Sequence, residues 1–131
     1  MTIKTTNRVF AASTGALEAL ARLDETSGIS GRDMQQLARR LRVLDNALQD
    51  FNKGHRVILY SNWALDADGN RRETFKAKNE EAFEKTMNEY LDQPLELDME
   101  PIPAAMIGDK HKLTIGQLMT IDWLFMPGDD A

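Results

Sequence analysis

A leucine-rich heptad repeat is the strongest structural constraint in this chain. Between Gly31 and Asn62 there is no proline, and apolar residues recur in steps of three and four. Such spacing places all of them on one stripe of an α-helix. The pattern predicts one long helix whose stripe is covered by other helices, from its own chain, a second copy, or both. The repeat consists of Met34, Leu37, Leu41, Leu44, Leu48 and Phe51, and His55 and Ile58 continue it.

The length of this helix is itself informative. At about 1.5 Å per residue it would extend for about 45 Å, which is longer than a compact domain of 131 residues needs. Gly54 is its only internal glycine. Because glycine costs about 1 kcal/mol relative to alanine inside a helix, Gly54 is where we expect any bend or early end.

Shorter helices are predicted around the long one. The first covers about Thr6 to Asp24, although its beginning fits a short strand equally well. Another is expected from Asn79, a good N-cap, to Asp92. The last runs from Thr114, its cap, to about Phe125. The expected buried residues are Ala82, Phe83, Met87, Tyr90 and Leu91 before Asp92, and Ile115, Leu118, Ile121 and either Leu124 or Phe125 in the last helix.

Turns and one extended segment separate these helices. Asp66–Asn70 is a predicted turn because Asp-Gly and Gly-Asn favour positive φ. Apolar and acidic residues alternate from Leu95 to Met99 as in a strand, and Pro101 and Pro103 confine that strand to an edge or an extended arm. The predicted fold is mainly α, a helical hairpin with one long heptad-patterned helix, two further helices and a short extended or β segment. We expect a single helical domain over residues 1–131, with a flexible C-terminal tail from about residue 127.

Composition narrows the classes of function. The chain has no cysteine, so it has no disulfide framework, thiolate zinc site or cysteine nucleophile. No apolar run approaches the roughly 20 residues that span a bilayer, and we expect a cytoplasmic protein without membrane contact. The net charge of −5 argues mildly against nucleic-acid binding. Residues 1–62 carry +3 and residues 63–131 carry −8, an asymmetry that can hold two halves, or two copies, together.

The motifs that could carry chemistry are incomplete. Aligning Gly69 with the glycine of a calcium loop puts Ala64 and Phe75 at the first and last ligand positions, where Ca²⁺ needs oxygen ligands. His55 and His111 are far apart in sequence and form no metal-binding pair. The chain has no Gly-rich phosphate loop and no nucleophile elbow. We therefore predict no catalytic, cofactor-binding or metal-binding residues, no small-molecule substrate, and no enzymatic activity.

The candidate interaction residues fall into four groups. The basic side of the long helix favours ion pairs within or between subunits over nucleic acid, since no aromatic residues interleave with it. The acidic group is most simply a solvated helix face, but its carboxylates could also imitate phosphates. The tryptophans belong to the core or, if exposed, anchor an interface. The groups are Leu37, Leu41, Leu44, Leu48 and Phe51; Arg39, Arg40 and Arg42, with Arg32 nearby; Glu80, Glu81 and Glu84; and Trp63 with Trp123.

The order of these features resembles a group of small, uncharacterised helical proteins encoded by tailed bacteriophages. The similarity covers nearly all of the chain. Such proteins often begin with a regular helix, whereas this chain has a Thr-rich opening and Gly15. The matching features are a leucine-rich hairpin broken near Gly28-Ile29-Ser30, the turn Asp66–Asn70, Glu81-Ala82-Phe83-Glu84-Lys85 leading to Leu91-Asp92, Leu95-Glu96-Leu97 with Pro101-Ile102-Pro103, and Leu113-Thr114 before Asp122-Trp123-Leu124.

The resemblance implies a phage accessory or virion-assembly protein, located in the cytoplasm of an infected host cell or in the virion. With the heptad stripe and the charge asymmetry, it predicts a non-enzymatic homo-oligomer that acts by binding proteins. One alternative is an acidic inhibitor of a host nucleic-acid enzyme or defence protein. A weak nucleic-acid binder that uses the basic side of the long helix is a third hypothesis.

Overall fold

The computed structural model describes residues 2–126 and is mainly helical, with one long helix and a two-stranded antiparallel sheet, as predicted. The predicted flexible tail from about residue 127 lies outside the described residues. The elements are β1 (Ile3–Thr6), α1 (Asn7–Ala12), α2 (Thr14–Ala21), α3 (Gly31–Asn62), α4 (Glu80–Leu91), β2 (Pro94–Leu97) and α5 (Ile115–Thr120), with 3₁₀ turns at Glu25–Ser27, Ala104–Ile107 and Asp122–Leu124.

The long helix α3 has the bounds that the heptad pattern predicts. The Ser30 hydroxyl caps its first turn by accepting a hydrogen bond from the Asp33 N–H at 3.2 Å. The helix continues through Gly54 to Asn62, so Gly54 does not end it. This glycine is instead a point of close approach, because a Cβ there would overlap the Tyr90 hydroxyl of α4.

The N-terminal segment contains both elements that the sequence allowed, a strand followed by helix. The helix is divided at Ser13, whose buried hydroxyl donates to the Val9 carbonyl at 2.7 Å. A serine that bonds back to its own helix in this way often bends it. The Ser13 hydroxyl also accepts from the Trp123 indole N–H at 3.0 Å, which fastens this bend to the C-terminal part of the chain.

The extended segment before Pro101 finds its partner at the start of the chain. Strands β1 and β2 pair antiparallel, with Ile3 opposite Leu97 and Thr6 opposite Pro94. Pro94 lies at the first position of β2, where a missing backbone N–H is tolerated. The sheet therefore joins two segments that are remote in sequence.

The C-terminal helix is shorter than predicted, and its buried side differs. Helix α5 ends at Thr120, and a 3₁₀ turn follows. Ile121 and Leu124 are fully buried as expected, but the prediction that Ile115 is buried is wrong. With fewer than two turns, α5 is held in the core by the residues after it, and the side that carries Ile115 faces solvent. The predicted buried face of α4 is also wrong, because only the end of this helix, at Tyr90 and Leu91, packs against the core. Ala82 is exposed, and the other four residues are only half-buried: Phe83, Met87, Tyr90 and Leu91.

Buried apolar side chains of β1, α1, α2, α3, β2, the last two 3₁₀ turns and the loops beside them form the core. Its fully buried large side chains include Phe10, Leu20, Ile102, Ile121 and Leu124. We call this part of the protein the body. Within residues 2–126, no helix has the length and apolarity to cross a bilayer.

Residues 54–87 lie outside this core, and we call them the distal segment. They comprise the end of α3, a loop with isolated bridges between Trp63 and Ala77 and between Leu65 and Arg71, and the first part of α4. The predicted turn lies at the tip of this loop, where the Asp66 carboxylate accepts from the Asp68 and Asn70 N–H groups at 2.9 and 3.0 Å.

Candidate interaction surface

The heptad stripe of α3 divides into two rows. Leu37, Leu44 and Phe51 are buried by their own chain, and the Phe51 ring lies 6.3 Å from Phe10 in an edge arrangement. Their own chain therefore covers nearly all of the surface of these three residues. Leu41 and Leu48 form the second row and are only half-buried. This second row is the part of the predicted seam that still faces outward.

The half-buried row forms one wall of an apolar depression between α2 and α3. We call it the interface groove. Its volume is about 120 Å³, below the roughly 300 Å³ at which small-molecule pockets begin, so it suits side chains of another protein. Exposed Glu18 and Asp45 lie at its rim. The lining residues are Thr14, Leu17, Glu18 and Ala21 of α2, and Leu41, Leu44, Asp45 and Leu48 of α3.

A second apolar surface lies on α5. Ile115 and Met119 are 78% and 73% exposed and four residues apart, so they share one side of the helix. We call this pair the α5 knob. Exposed Lys110 and Lys112 precede it in the chain. Periodicity could not identify the knob, because a six-residue helix is too short for a repeat to show which side is covered.

The predicted basic side of α3 is not one continuous site. The Arg40 guanidinium donates to the carbonyls of Glu100 at 3.1 Å and Gln36 at 3.3 Å, and its side chain is only 13% exposed. Arg40 therefore joins α3 to the segment after β2, instead of facing a partner. Arg32, Arg39 and Arg42 remain exposed.

The predicted acidic residues lie on the first turns of α4. Glu80, Glu81 and Glu84 are all exposed, and none forms an ion pair within 4.0 Å among residues 2–126. The helix begins as predicted, with the Asn79 side chain accepting from the Ala82 N–H at 3.0 Å. The three carboxylates belong to one exposed side of α4.

Both tryptophans are half-buried and engaged within the chain. The Trp63 indole donates to the Arg72 carbonyl at 2.9 Å, and its ring lies 5.2 Å from Phe75 in an edge arrangement. The Trp123 ring lies 6.3 Å from Phe10. Trp63 therefore supports the distal segment, and Trp123 supports the body.

The two histidines lie in separate parts of the structure. The His55 ring is 5.9 Å from the Phe51 ring, and His111 Nδ1 accepts from the Leu113 N–H at 3.3 Å. Within residues 2–126, no three His, Asp or Glu side chains come together in a way that could hold a metal ion.

Among residues 2–126, two side chains have shifted pKa values, and both shifts have local causes. Hydrogen bonds from the Thr26 hydroxyl and N–H lower the pKa of Asp24, which caps a 3₁₀ turn. Burial, and the nearby charge of Asp50, raise the pKa of Tyr90. Capping and packing account for these shifts without any need for a catalytic role, and the absence of enzymatic activity stays a prediction.

No protein-family model, curated protein or solved structure matches this chain. The phage resemblance therefore depends on the sequence features that suggested it.

Proposed function

We propose that this chain is a non-enzymatic protein that acts through protein–protein contacts and associates with copies of itself at the interface groove. The observation that carries the proposal is the outward row of α3, Leu41 and Leu48, which α2 covers only in part. Removing apolar surface from water stabilises association by roughly 25 cal/mol per Å² before the costs of binding. A helix whose own chain covers one leucine row and leaves the other in a groove is suited to receive a partner there.

The biological setting is a further part of the proposal. The sequence resemblance supports a phage accessory or virion-assembly protein in the host cytoplasm or the virion. Neighbouring genes test this assignment. Capsid, portal or tail genes beside the coding sequence are the expected result, and a neighbourhood of bacterial housekeeping genes would contradict a phage origin.

Sedimentation velocity tests the self-association. We expect the average mass of the wild-type protein to rise between micromolar and near-millimolar concentration. Leu41→Gln places a polar amide in the groove and should weaken association by about tenfold. Leu95→Gln is the matched control, because Leu95 is also half-buried but lies on β2, away from the groove. If the wild-type protein stays monomeric over this whole concentration range, and circular dichroism shows that its helices are intact, the proposal is refuted.

A second candidate function is an acidic inhibitor of a host nucleic-acid enzyme or defence protein. The exposure of Glu80, Glu81 and Glu84 on one side of α4 favours it, since such carboxylates can occupy phosphate-binding sites. Reversing all three to lysine should abolish inhibition of a candidate host enzyme, while reversal of Glu18, Glu25 and Asp33 should not. Equal inhibition by the wild type and the first variant would eliminate this candidate.

A further inference from the structure

We propose that the α5 knob of one copy inserts into the interface groove of a second copy. This inference depends on the proposed self-association and specifies its geometry. The knob and the groove lie on different elements of the same chain, so each copy carries one of each. A second copy of this chain therefore has the surface that each half of the contact needs.

Size and exposure make the two surfaces complementary. Ile115 and Met119 are among the most exposed large apolar side chains of residues 2–126. The groove offers about 120 Å³, and its lining is mainly apolar and includes Leu17, Leu41 and Leu48. This space corresponds to one or two aliphatic side chains rather than a small-molecule ligand. Insertion would remove two exposed apolar surfaces from water in one contact.

Charge favours the same pairing. Exposed Lys110 and Lys112 lie just before the knob, and exposed Glu18 and Asp45 lie at the rim of the groove. Two grooves placed face to face would instead bring four carboxylates together. Opposite charges at a rim orient partners and speed their encounter more than they add affinity.

The knob of the same chain lies outside the groove, although α5 packs on α2. The Ser13 hydroxyl lies 3.2 Å from the Thr120 carbonyl and accepts from the Trp123 indole, which anchors the end of α5 near the start of α2. The groove lies between α2 and α3, and none of its lining residues comes from α5. A second copy must therefore supply the knob. When each copy uses its knob and its groove on different partners, the contact generates a ring or an open chain of copies, and when two copies exchange knobs it closes as a two-fold dimer.

Two complementary variants test this geometry. Ile115→Asp removes the knob at an exposed position, and Ala21→Arg fills the groove from an exposed position at the end of α2. Each variant alone should associate at least about tenfold more weakly than the wild type, as expected for loss of an interface anchor. An equimolar mixture still contains one intact knob and one intact groove. Sedimentation velocity should show that it forms a 1:1 dimer and grows no further.

Matched controls separate this contact from general effects of charge. Val57→Asp introduces the same acid at an exposed apolar residue of the distal segment, and Ala82→Arg introduces the same base on α4. Both should assemble like the wild type. If the wild type associates but the mixture stays monomeric, the knob-to-groove geometry is wrong while self-association stands. If the wild type itself is monomeric, the proposed function fails.

The paired charges give an independent readout. Lys112→Glu in the chain that supplies the knob should weaken the mixed dimer by up to about fivefold, the upper range for an exposed ion pair. Glu18→Lys in the chain that supplies the groove should restore part of this loss. An unchanged dimer affinity after the first substitution would overturn the proposed orientation.

Discussion

The body and the distal segment share one continuous helix but are packed very differently. In the body, α3 packs against α4, β2 and the 3₁₀ turn Ala104–Ile107, and side chains such as Phe10 and Leu20 are fully buried. In the distal segment, a loop and the first part of α4 lie beside α3. Among residues 54–87, Ala77 is the only buried residue. Since local stability follows local burial, one helix here belongs to two regions of unequal stability.

Aromatic contacts replace a core in the distal segment. Ring centroids are 5.9 Å apart for Tyr60 and Trp63, 5.2 Å for Trp63 and Phe75, and 4.9 Å for Phe75 and Phe83. The Arg71 guanidinium lies 4.3 Å from the centre of the Tyr60 ring. Such pairs contribute about 0.5–1.5 kcal/mol each beyond area burial. A short series of rings thus holds the loop on α3 without excluding water completely.

Truncation of Phe10 should have the largest effect. Phe10→Ala leaves a cavity at a fully buried position between Phe51 and Trp123 and should lower the free energy of unfolding by about 3–5 kcal/mol. Urea denaturation measures the change. Val9→Ala is the control, because Val9 is exposed on the same helix and its truncation should cost far less. A loss below about 1 kcal/mol for Phe10→Ala would contradict the contrast between the regions.

Truncation of Phe75 should lower the free energy of unfolding by less, and its effect should be local. Phe75→Ala interrupts the aromatic series at a half-buried position and should cost about 1–2 kcal/mol, less than a fully buried ring. Hydrogen exchange should show faster exchange of the Ala64 N–H, which bonds to Lys76, and unchanged protection of the Ile102 N–H, which bonds to Leu124. Equal acceleration of both would show that the two regions unfold as one unit.

A substitution at Gly54 tests the close contact between α3 and Tyr90 at the junction of the two regions. Gly54→Ala should destabilise the protein by about 1 kcal/mol, because overlap with the Tyr90 ring outweighs the usual helix gain of alanine. Gly15→Ala is the matched control. Gly15 lies in α2, and apart from its chain neighbours and the nearby backbone of its own helix no atom lies within 4 Å of the position of an alanine Cβ, so this change should stabilise by about 0.5 kcal/mol. Thermal unfolding distinguishes the opposite signs, and equal shifts would contradict the proposed contact.

Removal of the Tyr90 hydroxyl should have an effect no larger than that of Gly54→Ala, and one that depends on pH. It donates to the Phe51 carbonyl at 2.8 Å, and Tyr90→Phe should cost about 1 kcal/mol at neutral pH. The pKa of Tyr90 is raised above its ordinary value in the folded state, chiefly by burial. Its contribution is therefore fully present below the unfolded pKa and is lost as pH rises through the folded pKa.

Urea titrations on both sides of about pH 10, the ordinary tyrosine pKa, measure this dependence. The difference in unfolding free energy between the wild type and Tyr90→Phe should shrink at the higher pH. Tyr60→Phe serves as the control, because Tyr60 is 44% exposed and lies on the distal segment, away from Phe51. A constant difference for Tyr90→Phe would show that ionisation is not linked to folding at this site.

Local sequence signals predicted much of the fold. The bounds of α3 follow from its repeat and from the Ser30 cap, and the turn at Asp66 follows from its Asp-Gly pair. The pairing of Ile3 with Leu97 joins residues far apart in the chain, which no local pattern specifies.

The candidate site was predictable only in part. The repeat identifies Leu41 and Leu48, but it cannot show that α2 leaves this row open while Leu44 is covered. In sequence, Arg40 is indistinguishable from its exposed neighbours, because its contact with Glu100 depends on the path of a remote segment. Tertiary packing decides which side of a helix is covered. The sequence pattern shows only that the helix has an apolar side.

The placement of the two tryptophans gives each region its own optical signal. Trp123 lies beside Phe10 in the body, and Trp63 lies beside Phe75 in the distal segment. The chain has no other tryptophan. The intrinsic fluorescence of Trp63→Phe reports only the body, and that of Trp123→Phe reports only the distal segment, so the order in which the two parts melt is readable without attaching a dye.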